Sequence, residues 1–470
     1  MNSALQRAVQ PLVAAHAHES GFIALNEGGD AFAARILLAD AAEHSIDAQY
    51  YIWRHDNAGS MLLQALLRAA ERGVNVRLLL DDVNTAGLDA ALAALDAHPR
   101  IEVRVFNPFR WRRFRLIGLL ADFARLNRRM HNKSYTVDGT VTVVGGRNIG
   151  DEYFGTGDGL QFTDLDVLAI GPVVADVARD FERYWTSTPA QPLARVLAGH
   201  TALSHAQQDS ARVVAAGENY AGALGRERCV RELLDGLLAF DWARAHLVSD
   251  APAKVLGHAR RRTMLLSKLR EIVGTPQREL HLVSPYFVPT RAGVAFLVAL
   301  ARQGIHISVL TNSLEATDVA AVHAGYARWR RPLLRAGIAL FESRRLLPTA
   351  RRHRRRRGGS SSTSLHAKTF AIDGERVFVG SFNFDPRSAQ LNTEMGLLIE
   401  SPALARACAD LFTNAANRHA YSVQLDARGA LQWQQHDDAG ISLHHREPGA
   451  SIWRRAWVRI LSWFPIEWML

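Results

Sequence analysis

The sequence predicts a duplicated α/β fold, and three observations carry that prediction. Strand-like and helix-like segments alternate, their order recurs in the second half, and each half holds one copy of the same short chemical motif. In the first half, residues 46–53, 74–82 and 101–106 are rich in β-branched and aromatic side chains and are expected as strands. Helical spacing covers 61–72 and 88–95 between them. The second half repeats the order, with strands expected over 280–288, 305–311 and 338–342 and helices over 292–302 and 319–334. A polar, Ala-rich stretch separates the two. The expected division is a first half over 1–188, a linker over 189–217, a second half over 218–440 and an amphipathic tail over 441–470.

Composition excludes several classes. With 48% hydrophobic and 22% charged residues in 470, the chain has enough apolar side chains for a sizeable core and is neither disordered nor fibrous. Two cysteines, Cys229 and Cys408, make no disulfide framework and lack the CxxC spacing of a zinc site, so a reducing compartment is expected. The longest apolar runs, such as 293–301, fall short of the ~18 residues that span a bilayer, and no signal-peptide core is expected at the N-terminus. The formal charge is +10, which suits an anionic partner, either a nucleic acid or a membrane surface. Nearly all of that basicity is arginine. Lys133, Lys254, Lys268 and Lys368 are the only lysines, so a lysine here suggests that a compact ammonium is wanted.

Two of these lysines lie in the repeated motif, HNKSYTVDG at 131–139 and HAKTFAIDG at 366–374. Each copy reads HxKxxxxD followed by Gly, and each runs through a β-rich segment to an asparagine 17 residues after the histidine, Asn148 and Asn383. On a strand, side chains alternate, so His131 and Lys133 share a face, as do His366 and Lys368. Two such strands meeting would bring two imidazoles and two ammoniums to one pocket. Asp138 and Asp373 belong to the motif and are candidate catalytic residues with those four. Their odd offset and the Asp-Gly hairpin signal instead favour a structural role. Paired His and Lys suit phosphodiester transfer: one imidazole attacks phosphorus, the other protonates the leaving oxygen, and the lysines with Asn148 and Asn383 neutralise phosphate charge. This chemistry calls for no metal and no cofactor.

These motifs resemble those of the phospholipase D superfamily. The surrounding segments, among them DAQYYIW at 47–53, VGGRNIGDEYF at 144–154, HAGYARWR at 323–330 and GSFNFDPRSAQLNTEMG at 380–396, are similar to the bacterial cardiolipin synthase branch of the C type. The resemblance implies two α/β/α halves related by pseudo-twofold symmetry around a shared active site. It implies that Asp166 and Glu394 orient the histidines and leans towards His131 as nucleophile. It also implies transfer of a phosphatidyl group to phosphatidylglycerol, with phosphatidylethanolamine as a further possible donor. A hydrolytic phospholipase D would use the same residues, and a nuclease of the superfamily would also explain the charge.

A lipid-using enzyme without a membrane span needs another hold on the bilayer. On helical spacing, Trp453, Trp457, Ile460, Leu461 and Phe464 form one face of the tail, with Arg454, Arg455 and Arg459 largely elsewhere. The tail is expected either to lie on an anionic membrane or to dock on the enzyme's own core. Residues 106–123, with interleaved aromatics and arginines, are a second candidate rim. The Arg-rich and Gly/Ser-rich insertion at 344–364 is either a solvated loop or one that engages phosphates. The expected location is peripheral, on the cytoplasmic face of a bacterial inner membrane; no nucleic acid is expected as partner.

Overall fold

The computed structural model describes residues 2–112, 115–156, 161–198, 232–345, 363–437 and 440–463. Among these, the first sheet contains β1 (Ser20–Leu25), β2 (Ser45–Tyr50), β3 (Asn75–Asp81), β4 (Ile101–Phe106), β5 (Ser134–Val137) and β6 (Val141–Gly145). The short β7 (Gln161–Thr163) stands apart, and β8 (Asp166–Ile170), β9 (Ala190–Pro192) and β10 (Asp241–Ala243) complete the sheet in the order β10-β1-β8-β6-β5-β2-β3-β4-β9. The second half supplies β11 (Ala245–Ser249), β12 (Glu279–Val283), β13 (His306–Asn312), β14 (Ala339–Ser343) and β15 (Thr363–Leu365). It continues through β16 (Thr369–Ile372), β17 (Arg376–Gly380), β18 (Met395–Ile399), β19 (Ala420–Leu425), β20 (Leu431–Asp437) and β21 (Gly440–His444). Its order is β11-β18-β17-β16-β12-β13-β14-β19-β20-β21, while β15 pairs in parallel with β7 of the first half.

The local causes are legible. β2, β3 and β4 run parallel, with helices Asn57–Glu71 and Asp89–Asp96 as crossovers; β2 (SIDAQY) and β4 (IEVRVF) alternate apolar with polar residues and bury the apolar ones against the core. Both Asp-Gly pairs turn a tight hairpin: Asp138 and Gly139 have φ of 51° and 58°, Asp373 and Gly374 56° and 67°. The halves meet along an apolar seam in which Val144, Val167 and Ala169 pack with Val377, Val379, Leu397 and Ile399. Helices Pro172–Trp185 and Pro402–His419 flank it through Val173, Val177, Ala405 and Cys408.

The expected boundaries move. β9 and helix Leu193–Leu197 extend the first half into the stretch expected as linker, whose remainder lies outside the described residues. β10, expected within the second half, instead pairs with β1. The edge of β1 carries unpaired backbone groups that β10 satisfies, a demand that local composition does not display. β12 ends at Val283, five residues early: the Ser284 N–H still donates to Leu310 O of β13, but Pro285 follows, which has no N–H to extend the ladder. The helix expected over 319–334 is two, Ala320–Ala327 and Arg330–Arg335. β21 belongs to the second sheet rather than to a separate tail. The insertion between 346 and 362 lies outside the described residues.

Candidate active site

His131 lies just ahead of β5, and its backbone N–H donates to Thr393 O at 2.9 Å. Its Nδ1 is 2.8 Å from Glu394 Oε2. His366 lies just ahead of β16; its N–H donates to Thr163 O at 2.9 Å and its Nδ1 is hydrogen-bonded to Asp164 Oδ2. The same device occurs twice. Each histidine rests on the opposite half: the carbonyl before the acid takes its N–H, and the acid takes its ring. Each imidazole also meets a tyrosine edge-on, Tyr51 at 4.9 Å from His131 and Tyr153 at 5.1 Å from His366.

Glu394 occupies its expected place, but Asp166 does not touch a histidine. Its carboxylate accepts from Arg35 at 2.8 Å and from the Arg147 N–H at 3.2 Å, fully buried. Asp164 is the partner of His366. The register explains the error: Gly145 faces Asp166, whereas the matching Gly380 faces Gly396, so the counterpart of Glu394 is Asp164. Matching the apolar runs VLAI and LLI would have revealed the two-residue shift in the sequence.

Lys133 Nζ donates to His131 O and Lys368 Nζ to His366 O, so each ammonium is tethered to the backbone of its own motif. Burial lowers Lys133 to about 7, against the pull of Glu394, and lowers Lys368 to about 8, against that of Asp164. Burial and then Lys368 bring His366 down to about 4; burial, Lys133 and Lys368 hold His131 well below its ordinary value. That each lysine acts on both histidines shows that the two motifs share one electrostatic site. The two acids differ. Burial pushes Glu394 up to about 7, whereas His366 and Lys368 overcome burial and hold Asp164 well below the usual carboxylate range.

The supporting residues divide. Asn148 is engaged within the protein: its Oδ1 accepts from the Ile52 N–H at 3.1 Å and its Nδ2 donates to Oη of Tyr153, the tyrosine beside His366, at 3.0 Å. Asn383 Oδ1, by contrast, is buried and has no hydrogen-bond partner among the described residues. Asp138 and Asp373 leave the catalytic set. The Asp138 carboxylate accepts the backbone N–H groups of Glu43, His44 and Ser45, and Asp373 accepts those of Gln277, Arg278 and Glu279, at the entries of β2 and β12. Their odd offset turns these side chains away from the face of the histidines.

Sequence reasoning also missed the layer behind Glu394. Asp250 Oδ2 accepts from the Glu394 N–H at 2.9 Å and from Lys254 Nζ at 2.8 Å, and Lys254 also donates to Ser388 O. The scarcity of lysine was the available signal. Among the described residues, no group of three or more His, Cys, Asp or Glu is arranged to hold a metal ion.

The tail helix, Ile452–Leu461, is docked on the body and leaves its tryptophans exposed. Val458 is buried with Leu314 and Ala324, and Arg454 and Arg455 donate to Thr317 O and Glu447 O, so the helix is docked. Trp453, Trp457 and Trp463 are exposed, at 85%, 56% and 76%. Phe464 lies outside the described residues. The other rim exposes Trp111, Ile117, Leu120 and Phe123. Among the described residues no helix is long and apolar enough to cross a membrane.

Residues 36–185 and 269–416 match the family described as cardiolipin synthase, PLD-like domain. The chain is 50% identical over 473 aligned residues, covering 99% of each chain, to cardiolipin synthase C of Escherichia coli K12. It is 31% identical to an uncharacterized protein of Helicobacter pylori 26695, over 94% of this chain and 89% of the other. Among solved structures, the phosphatidylserine synthase of Haemophilus influenzae Rd KW20 superimposes with a TM-score of 0.59 at 14% identity, over 89% of this chain and 91% of that one, a likeness of fold.

Proposed function

The chain belongs to the cardiolipin synthase family of phospholipase D-like enzymes, and on that premise we propose that it transfers a phosphatidyl group to phosphatidylglycerol through a phosphohistidine. The observation that carries this reading is the pair of imidazole–carboxylate dyads, each built across the seam, with a buried lysine bonded to the backbone of each histidine. Engaging Nδ1 with a carboxylate fixes ring orientation and makes Nε2 the atom presented to phosphorus. His131 Nε2 attacks the phosphodiester and the bond to the head-group oxygen breaks as His366 donates a proton to that oxygen; the bound anionic phosphodiester, added to Asp164 at Nδ1, offsets the burial and the lysine charge that hold the imidazole neutral in the free protein and lets His366 carry this proton. A primary hydroxyl of phosphatidylglycerol then gives its proton to His366 and attacks the phosphohistidine, forming cardiolipin and freeing His131. Lys133, Lys368 and the Nδ2 amide of Asn383 donate to the phosphoryl oxygens as their charge grows. Glycerol leaves when the donor is phosphatidylglycerol, ethanolamine when it is phosphatidylethanolamine.

The exposed tryptophans of the tail helix and the exposed Trp111, Ile117, Leu120 and Phe123 support a peripheral seat on an anionic membrane; the membrane proposed is the bacterial inner membrane, at its cytoplasmic face. The test is to supply labelled phosphatidylglycerol, with and without phosphatidylethanolamine, and to resolve lipids and released alcohols. Cardiolipin with stoichiometric glycerol or ethanolamine is expected. Phosphatidic acid as the sole lipid product would replace transfer with hydrolysis.

A further inference from the structure

We propose that the second half binds one acyl chain of its phospholipid in an apolar groove between its sheet and its outer helices; this rests on the reading of the substrate as a phospholipid. The groove has a volume of about 330 Å³, within the range of ligand pockets. Its floor is Phe370 and Ile372 of β16 with Leu280 and Leu282 of β12. Helices Leu265–Val273 and Thr290–Arg302 wall it. At one end stand Phe382 and Phe384, on either side of Asn383, so the groove is continuous with the loop that carries a proposed phosphate ligand. Phe370 is two residues along the chain from Lys368.

The pseudo-symmetry shows that this space is not a general feature of the fold. Tyr135 and Val137 pair with Ala48 and Ile46 as Phe370 and Ile372 pair with Leu282 and Leu280. Above that floor the first half places Phe154 against Phe32, ring centroids 5.0 Å apart and both buried. Phe154 lies 23 residues after His131, and the residue 23 after His366 is Ala389, which lines the groove. One half fills its interlayer space with aromatic rings; the other leaves it open next to the loop that carries Asn383. An open apolar channel forfeits packing contacts that a methylene chain restores. Arg270 lies 5.5 Å over the Phe296 ring at the groove wall, an arginine–aromatic pair suited to a lipid surface.

The test compares wild type with Ala389→Phe, which copies the first half, on dioleoyl and dihexanoyl phosphatidylglycerol. The ratio of kcat/KM for the long chain to that for the short chain is expected to fall by about tenfold or more, through KM. An unchanged ratio overturns the proposal. A second measurement needs neither turnover nor the variant: phosphatidylglycerol with a diazirine near the end of one acyl chain is photolysed with the wild-type protein. Labelling of residues 265–273 and 290–296 is expected; labelling confined to other segments overturns the groove, including the case in which another part of a protein occupies it. Groove labelling without cardiolipin formation would retain acyl binding and reject the transfer reaction, so the two failures are distinguishable.

Discussion

Thr393 O accepts the His131 N–H at 2.9 Å, and the next residue, Glu394, holds the His131 ring. Thr163 O and Asp164 do the same for His366. Neither half contains a complete dyad. Docking of the halves therefore builds the site, and a change that loosens the seam should affect both histidines together.

Single substitutions His131→Ala and His366→Ala are each expected to reduce cardiolipin formation by at least about 10³-fold, since each imidazole makes a covalent or proton-transfer step that no neighbour replaces. Circular dichroism should remain native. A phosphoenzyme trapped in one variant background identifies the nucleophile; near-normal rates in either variant would refute a shared site.

Asp164→Asn and Asp166→Asn should behave differently. The first leaves the fold and lowers kcat by roughly 10²–10⁴-fold, because the His366 ring loses its orienting carboxylate. The second uncouples the buried Arg35 guanidinium and costs about 3–5 kcal/mol of stability. Thermal unfolding beside kcat separates them; a reversed pattern would restore Asp166 as the orienting residue.

Because burial brings Lys133 to about 7 and Lys368 to about 8, their positive charge is present below that range and lost as pH rises through it. kcat/KM on an anionic phospholipid should therefore decline between pH 7 and 8 rather than near the ordinary lysine value. Lys368→Arg should remove the part of that limb near pH 8 and leave the fall near pH 7 that belongs to Lys133, while lowering the neutral-pH rate by roughly 10–100-fold, since a planar guanidinium fits the lysine position poorly. A profile flat to pH 9 in the wild type would contradict the shift.

Asp138→Ala and Asp373→Ala each free three backbone N–H groups from their acceptor and should cost about 1–3 kcal/mol of stability, with turnover per folded molecule retained. A lowered melting temperature with unchanged kcat is the expected result. Loss of kcat without loss of stability would return these aspartates to the chemistry.

Replacing Trp453, Trp457 and Trp463 together with Ala should weaken flotation with anionic vesicles by about tenfold or more, with a smaller effect on a short-chain soluble phosphodiester. This is sharper than deleting the tail, because Val458 and Arg454 fasten the helix to the body and their loss would disturb packing. Unchanged vesicle affinity would move membrane contact to residues 111–123.

The sequence by itself determined whatever depends on neighbours along the chain. Alternation put His and Lys of each motif on one face, the Asp-Gly pairs marked the two hairpins, and odd offset marked Asp138 and Asp373 as turn residues. Duplication made a two-halved α/β fold legible, because the same apolar periods recur at matched spacing. Tertiary structure decided what depends on register and docking. Asp164 rather than Asp166 meets His366 because β8 and β18 are aligned two residues differently from the way their acidic residues suggest. β10 belongs to the first sheet because an edge strand needs hydrogen-bond partners wherever the chain can supply them. The lowered lysines and the unequal acids arise from burial at the seam, which no local pattern records. The open groove beneath Ala389 exists because one half fills with Phe32 and Phe154 a space that the other does not.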